Sequence, residues 1–282
     1  MSLSARLTRK SGSSFIYAFR VLPVDKRRAI YALYSFCRVV DDCVDEAGGE
    51  GEAGLLRWTE EVQRCYAGAP ETELGRELAA AVFQFPIPRS CFEDIVAGCR
   101  MDLTIRRYAT FEDLRGYCLR VASAVGLAAI EIFGYQDPGT RDYAIELGLA
   151  LQITNILRDV GVDAGRGRLY LPLQDLARFG VSEEALLTAA RGGGPGRPQA
   201  VDALLAFEGE RAREQFERAR RALPEADRRA MLSAEIMSAV YRALLHELAR
   251  RGYPVTVPVV RLSRPRKAWI ALRTVPRVYW NV

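Results

Sequence analysis

Apolar residues recur every three to four positions along almost the whole chain, and no convincing strand alternation interrupts them. That rhythm predicts helices. The first long one spans Val24 to Glu46, with Pro23 before it, Asp25 favourably charged near its start, and the glycine-rich Ala47 to Gly54 ending it. Further helices are expected at 53–67, 71–84, 88–104, 111–134 and 138–161, punctuated by Pro86-Ile87-Pro88 and Asp137-Pro138. A flexible loop, Arg191 to Pro198, leads to two more at 199–222 and 225–251. No segment repeats at a fixed period, which argues against a solenoid. Short loops between long helices predict one all-α antiparallel bundle, a single domain over 1–282 with a proline-containing C-terminal tail at 252–282.

Two polar clusters stand out against this pattern. The first is Asp41-Asp42-Cys43-Val44-Asp45 and the second runs from Asn155 through Arg158 and Asp159 to Asp163. Both space carboxylates by four, which on a helix stacks them roughly 6 Å apart on one face. Stacked carboxylates repel one another, so such stripes call for a cation. Magnesium takes hard oxygen ligands, keeps several waters and bridges carboxylates to phosphates. Asn155, Asp159 and Asp163 form a stripe over ~12 Å of helix, extended upstream by Gln152 and flanked by Arg158. Leu147, Leu149, Leu151, Ile153, Ile156, Leu157 and Val160 surround it, so its polar groups are expected inside the bundle, where they need partners. Taken alone, the first cluster reads equally well as a solvated acidic helix end. Arg38, three residues before Asp41, can reach the carboxylates or a phosphate. Two facing stripes of this kind would hold metal ions between them and a diphosphate above.

Composition narrows the alternatives. The 282 residues are 49% hydrophobic and 27% charged, an ordinary globular balance. The net charge of +5 is modest, with basic residues scattered except at the C-terminus, and no stretch interleaves basic residues with aromatics as a single-strand groove would, so nucleic acid is not an expected partner. Six cysteines without a C-x-x-C pair fall mostly on apolar helical positions, as buried reduced thiols of a cytoplasmic protein do. The single histidine, His246, leaves too little for a zinc or ferritin-like di-iron site. Met1 to Lys10 has no signal-peptide core, and the most apolar stretch, Val121 to Tyr135, is shorter than the ~20 residues that span a bilayer and carries Glu131. A soluble protein is expected.

Placed together, these motifs resemble those of the squalene/phytoene synthase family, the head-to-head prenyl synthases. The first aspartate-rich motif matches Tyr34 to Asp45; the second matches Gln152 to Asp163, followed by Gly165-Arg-Gly-Arg168-Leu-Tyr170-Leu-Pro172. A flap motif matches Ser11 to Phe19, and a middle signature matches Met101-Asp102, Arg107-Tyr108, Tyr117 to Ala122 and Val125-Gly126. Val260 to Lys267 also looks familial. The resemblance implies a class I isoprenoid synthase bundle with a central cavity and an N-terminal flap over 1–22. It implies that Asp41, Asp45, Asn155, Asp159 and Asp163 ligate Mg²⁺ directly or through water. Arg38, Arg158, Tyr170 and Arg261 would contact diphosphate oxygens, beside Gln152. Ser14 would cap a phosphate through the flap, where Gly12 stands in place of a frequent second hydroxyl. Tyr34, Tyr117 and Tyr241 would line the cavity near the reacting carbons. Phe15, Phe19, Val121, Ala122, Val125 and Gly126 would form the prenyl pocket. From the residues alone, these tyrosines and apolar side chains read equally as core.

The implied reaction joins two farnesyl diphosphates into presqualene diphosphate, an intermediate of hopanoid and squalene biosynthesis, with no NADPH expected. The flap, the Arg261 to Lys267 tail and the length most resemble bacterial presqualene diphosphate synthases. A phytoene or dehydrosqualene synthase is the alternative. The basic C-terminal run with Trp269, Tyr279 and Trp280 suits an anionic membrane surface. That would set the protein peripherally on the inner membrane, near downstream pathway enzymes. A packed C-terminal helix with solvated arginines accounts for the same residues.

Overall fold

The helical rhythm becomes fourteen α-helices and no strand among the described residues of the computed structural model, which are 2–10, 15–45, 50–192 and 197–280, with the side chains of 8–10, 15 and 280 left aside. Two short helices, α1 (Leu3–Lys10) and α2 (Phe15–Phe19), precede α3 (Val24–Asp45). Next come α4 (Gly51–Tyr66), α5 (Glu73–Gln84) and α6 (Arg89–Thr104). Helix α7 (Phe111–Cys118) passes through a π turn, Leu119–Ser123, into α8 (Ala124–Phe133), and α9 (Thr140–Gly165) follows. The chain continues with α10 (Leu173–Arg178), α11 (Glu183–Ala190), α12 (Gln199–Ala222), α13 (Leu232–Arg250) and α14 (Arg264–Trp280).

Local chemistry explains the boundaries. Thr72 and Ser182 cap α5 and α11, and Thr110 with Asp113 forms a capping box at the start of α7. The helix predicted over 225–251 is interrupted. Asp227 accepts hydrogen bonds from the backbone N–H groups of Gln136 and Asp137 and from the Thr140 hydroxyl, which holds Glu225–Asp227 as a separate 3₁₀ turn. Helices α1, α2, α10 and α11 are too short to show a period. In the tail, α14 opens with Pro265 in its first turn, where a missing N–H costs nothing.

The helix expected over 111–134 forms through α7, the π turn and α8 as Phe111–Phe133, which is long and apolar enough to cross a membrane by length and composition, although the stretch Val121 to Tyr135 alone is too short. The uninterrupted path through Leu119–Ser123 makes it longer than the apolar stretch suggests. It is packed within the bundle, against α3, α6 and α9.

That packing creates the site. Helix α8 packs on both α3 and α9, while α3 and α9 do not pack extensively on each other. The gap that α8 keeps between them is a cleft, and Val121, Ala122 and Val125, the expected floor of a prenyl pocket, are half-buried. Gly148 lets α9 come this close, because a Cβ there would lie 2.6 Å from the Ser123 Cα. Helix α13 packs on α9 and carries α2 and α14 on its other sides. From α2, Phe19 meets Tyr31 and Tyr34 of α3 edge-on, with ring centroids 5.9 and 6.1 Å apart. The tail crosses α9 so tightly that a Cβ at Gly161 would collide with the Val255 carbonyl. Arg197 fastens it by donating to the carbonyls of Gly252 and Tyr253.

Candidate active site

One wall of the cleft is the C-terminal half of α3. Arg38 donates to Asp41 at 3.0 Å and to Asp42 at 2.6 Å. Burial, and then the charge of Asp45, push the Asp41 carboxyl up to about 7 against the pull of Arg38. Its side chain still keeps 39% of its surface open, so it is crowded without being sealed.

The opposite wall is the end of α9, which continues past the predicted 161 and so carries Asp163 on the same face as Asp159 and Asn155. Asp159 accepts two hydrogen bonds from Arg158, at 2.8 and 2.5 Å. Burial and then Asp159 raise Asp163 to about 7, and Asp45 on the facing helix adds to that rise against Arg166 and Arg168. The two walls are thus close enough for their carboxylates to feel each other. They are also tied: Asp45 accepts from Arg166 at 2.6 Å and from Arg168 at 2.5 Å, both just beyond α9.

The segment after α9 is anchored by a lone parallel bridge between Arg107 and Leu169, and by Leu173 N–H donating to the Tyr108 carbonyl at 2.9 Å. This brings Tyr170 beside Asp102 of α6. The Tyr170 and Tyr117 hydroxyls donate to the two Asp102 oxygens at 2.6 and 2.9 Å, and their rings stack at 5.2 Å. Tyr170 and Tyr117 are buried, so in this structure the partner of both is Asp102. Asp102 itself is raised by burial, with the two tyrosines and Arg168 opposing the shift.

A third group of residues is basic. Burial, and then the positive charges of Arg261, Arg158 and Arg264, lower the Lys267 ammonium. These cations from α9, the tail and α14 therefore share one space. Tyr241 of α13 completes it, its hydroxyl lying near Asn155 and Arg158. Such a cluster of like charges suits a polyanion.

The residues fit a hard divalent cation. The Asn155 carbonyl oxygen is buried without a hydrogen-bond partner, while its amide donates to Gln152 at 3.3 Å. It stands one turn from Asp159. No three carboxylate, thiol or imidazole groups among the described residues converge on a single point. Magnesium commonly uses one or two carboxylates and completes its shell with water and phosphate. Direct ligation by Asp45 or Asp159 would require their arginines to turn aside.

Of the predicted site residues, the structure brings together Arg38, Asp41 and Asp45 on one wall and Gln152, Asn155, Arg158, Asp159 and Asp163 on the other. Tyr34 and Phe19 meet at the α2–α3 contact, and Tyr241 and Arg261 join the basic group. Ser14 lies outside the described residues, as does the side chain of Phe15. Asp102, Arg166, Arg168 and Lys267 are additional. Asp102, Arg166, Arg168 and Lys267 stand inside the matching motifs, and the missing signal was the packing that brings the first three to the acidic walls and Lys267 to the basic group. An open groove of about 280 Å³ along α12 and α13, lined by Arg213, Phe216, Glu217, Arg242, Leu245 and His246, holds none of these residues.

Residues 8–267 match the squalene/phytoene synthase family. The chain belongs to that family. It is 36% identical over 265 residues to the presqualene diphosphate synthase of Rhodopseudomonas palustris, covering 93% of this chain and 92% of that one. It is 34% identical over 268 residues to the 15-cis-phytoene synthase of Synechococcus elongatus, covering 89% and 84% respectively. A dehydrosqualene synthase solved in complex with ligand superposes with a TM-score of 0.86 at 28% identity, over 98% of this chain and 95% of that one. The fold is that of the class I isoprenoid synthases, and the family is one of head-to-head prenyl synthases.

Proposed function

We propose that the protein condenses two farnesyl diphosphates head to head, in a magnesium-dependent reaction, to presqualene diphosphate with loss of one diphosphate. The observation that carries this reading is the pair of facing acidic walls with a cationic group at Arg158, Arg261 and Lys267 beside them. Asp41, Asp45, Asn155, Asp159 and Asp163 would hold the metal, directly or through water. Magnesium, when bound, supplies Lewis-acid stabilisation of charge on the leaving diphosphate.

The chain's own groups do the rest. Arg158, Arg261 and Lys267 neutralise the diphosphate as its C–O bond breaks and leaves an allylic cation. Aromatic faces at Tyr34 and Phe19 offer that cation a π surface. The apolar floor from Val121 to Val125 excludes water, so the double bond of the second farnesyl group is the available nucleophile. Loss of one proton then closes the cyclopropane. Two farnesyl diphosphates yield one presqualene diphosphate, one diphosphate and one proton.

The 36% identity to a presqualene diphosphate synthase, with near-complete coverage of both chains, supports this product. A phytoene-type product from a C20 donor is the second reading, favoured by the 34% identity to a phytoene synthase. Incubation with each donor and Mg²⁺, with and without NADPH, separates them. Accumulation of a phosphorylated C30 cyclopropane under both conditions supports the proposal, and a C40 hydrocarbon from the C20 donor replaces it.

A further inference from the structure

We propose that the outward face of α14 docks on an anionic lipid bilayer. At about 100° per residue, Lys267, Ile270, Ala271, Thr274, Val275 and Val278 fall towards one side of this helix, and these, with Pro276 at the margin, are its buried or half-buried positions. Helices α13 and α2 pack against α14. The opposite side carries the exposed Pro265, Trp269, Leu272 and Arg273. Trp269 is 57% exposed and Leu272 65%, and Tyr279 on the flank is 42% exposed. An aromatic and leucine ridge of this kind is the part of an interfacial helix that enters the boundary between headgroups and acyl chains.

Its charge selects the lipid. Helix α14 contains five basic residues and no acidic one. No carboxylate pairs with Arg264, Arg273 or Arg277 among the described residues, and the Arg273 guanidinium lies 5.5 Å from the Trp269 ring centroid. Several arginines of α12 and α13 are neutralised by comparison: Arg213 pairs with Glu210, and Arg220 and Arg242 both pair with Glu217. The unneutralised cations beside the apolar ridge of α14 complement a negative membrane surface. They also oppose self-association through this face, since a second copy would bring the same charge.

The placement has a use that rests on the proposed prenyl chemistry. The inner face of the same helix presents Lys267 to the basic end of the cleft. Docking would therefore set that end at the bilayer, into which a long isoprenoid product partitions.

Binding is tested apart from turnover. The purified full chain is sedimented with vesicles of phosphatidylcholine alone and of phosphatidylcholine mixed with phosphatidylglycerol, at low and high salt. Binding to the mixed vesicles that weakens with salt is expected. A Trp269→Glu/Leu272→Glu variant and an Arg273→Glu/Arg277→Glu variant should each lose about tenfold or more of it. Both should keep the wild-type circular-dichroism melt and their turnover of detergent-dispersed substrate. Absence of wild-type binding overturns the proposal, as does equal binding by the variants. A concentration-dependent dimer in light scattering that the same variants abolish would instead assign the face to a second copy. Vesicle binding without prenyl turnover would retain the docking and remove only its proposed use.

Discussion

At the scale of single residues, the site is a balance of charges that no side chain satisfies alone. Asp159 is held by Arg158 and stands in line with the unpartnered Asn155 oxygen. Its replacement by alanine removes a proposed metal ligand and leaves Arg158 without its carboxylate. Steady-state turnover of farnesyl diphosphate with Mg²⁺ should fall by about 10²–10³-fold in kcat; an unchanged kcat would remove Asp159 from the metal site. Protons report on the same balance. Asp41 and Asp163 titrate at about 7 in the fold against an ordinary 3.8, so between those values the folded chain holds protons that the unfolded chain has released. Their contribution to stability therefore falls as pH rises from about 4 to about 7, then levels off. Metal binding needs the deprotonated carboxylates and should strengthen over the same window, with proton release. Thermal melts in chelator at pH 5 and pH 8 should show the difference, and Asp41→Asn with Asp163→Asn should shrink it. A metal-free melt whose pH dependence the double variant leaves intact would assign the shift to other groups, such as Glu208, which burial also raises to about 7.

At the scale of elements, α9 and the tail act together. Gly161 sits inside the second acidic motif, yet its role is packing, because the Val255 carbonyl occupies the space a methyl group would need. Gly161→Ala should cost about 1–3 kcal/mol, read as a lower melting temperature, and should raise KM by displacing the tail. An unchanged melt and KM would mean that the tail is not held there. Glu247 performs a similar service on α13. It accepts hydrogen bonds from Arg250, Arg251 and Arg266, which hold its carboxyl well below the usual range, and Arg266 adjoins Lys267 on α14. Glu247→Gln should loosen α14 and raise KM for the diphosphate substrate by about 5–10-fold, with kcat nearly unchanged, as expected for a lost uniform binding contribution. A fall in kcat at constant KM would contradict this positioning role. The long helices were legible because a 3.6-residue rhythm is local, and the stripe at Asn155, Asp159 and Asp163 was legible for the same reason. The Asp45–Arg168 pair and the two tyrosines on Asp102 were not, because they join residues 123, 68 and 15 apart through packing that periodicity does not encode. Nor does the sequence show that α14 has an outer ridge, since only its contacts with α13 and α2 say which face is covered.

At the scale of the molecule, the bundle serves to hold two charged walls apart. Helix α8 touches both α3 and α9, which keeps the walls at a cleft's width, while the Asp45 bridges to Arg166 and Arg168 stop them from separating. The central claim is that this cleft draws one diphosphate from a pair of prenyl substrates and retains the other on the product. Counting released inorganic diphosphate against consumed farnesyl diphosphate, with and without Mg²⁺, tests it directly. The account predicts Mg²⁺-dependent release of one diphosphate for every two farnesyl diphosphates, at a rate about 10²–10³-fold lower when Asp159 is alanine. Release of one diphosphate per farnesyl diphosphate, or release indifferent to Mg²⁺, would contradict it.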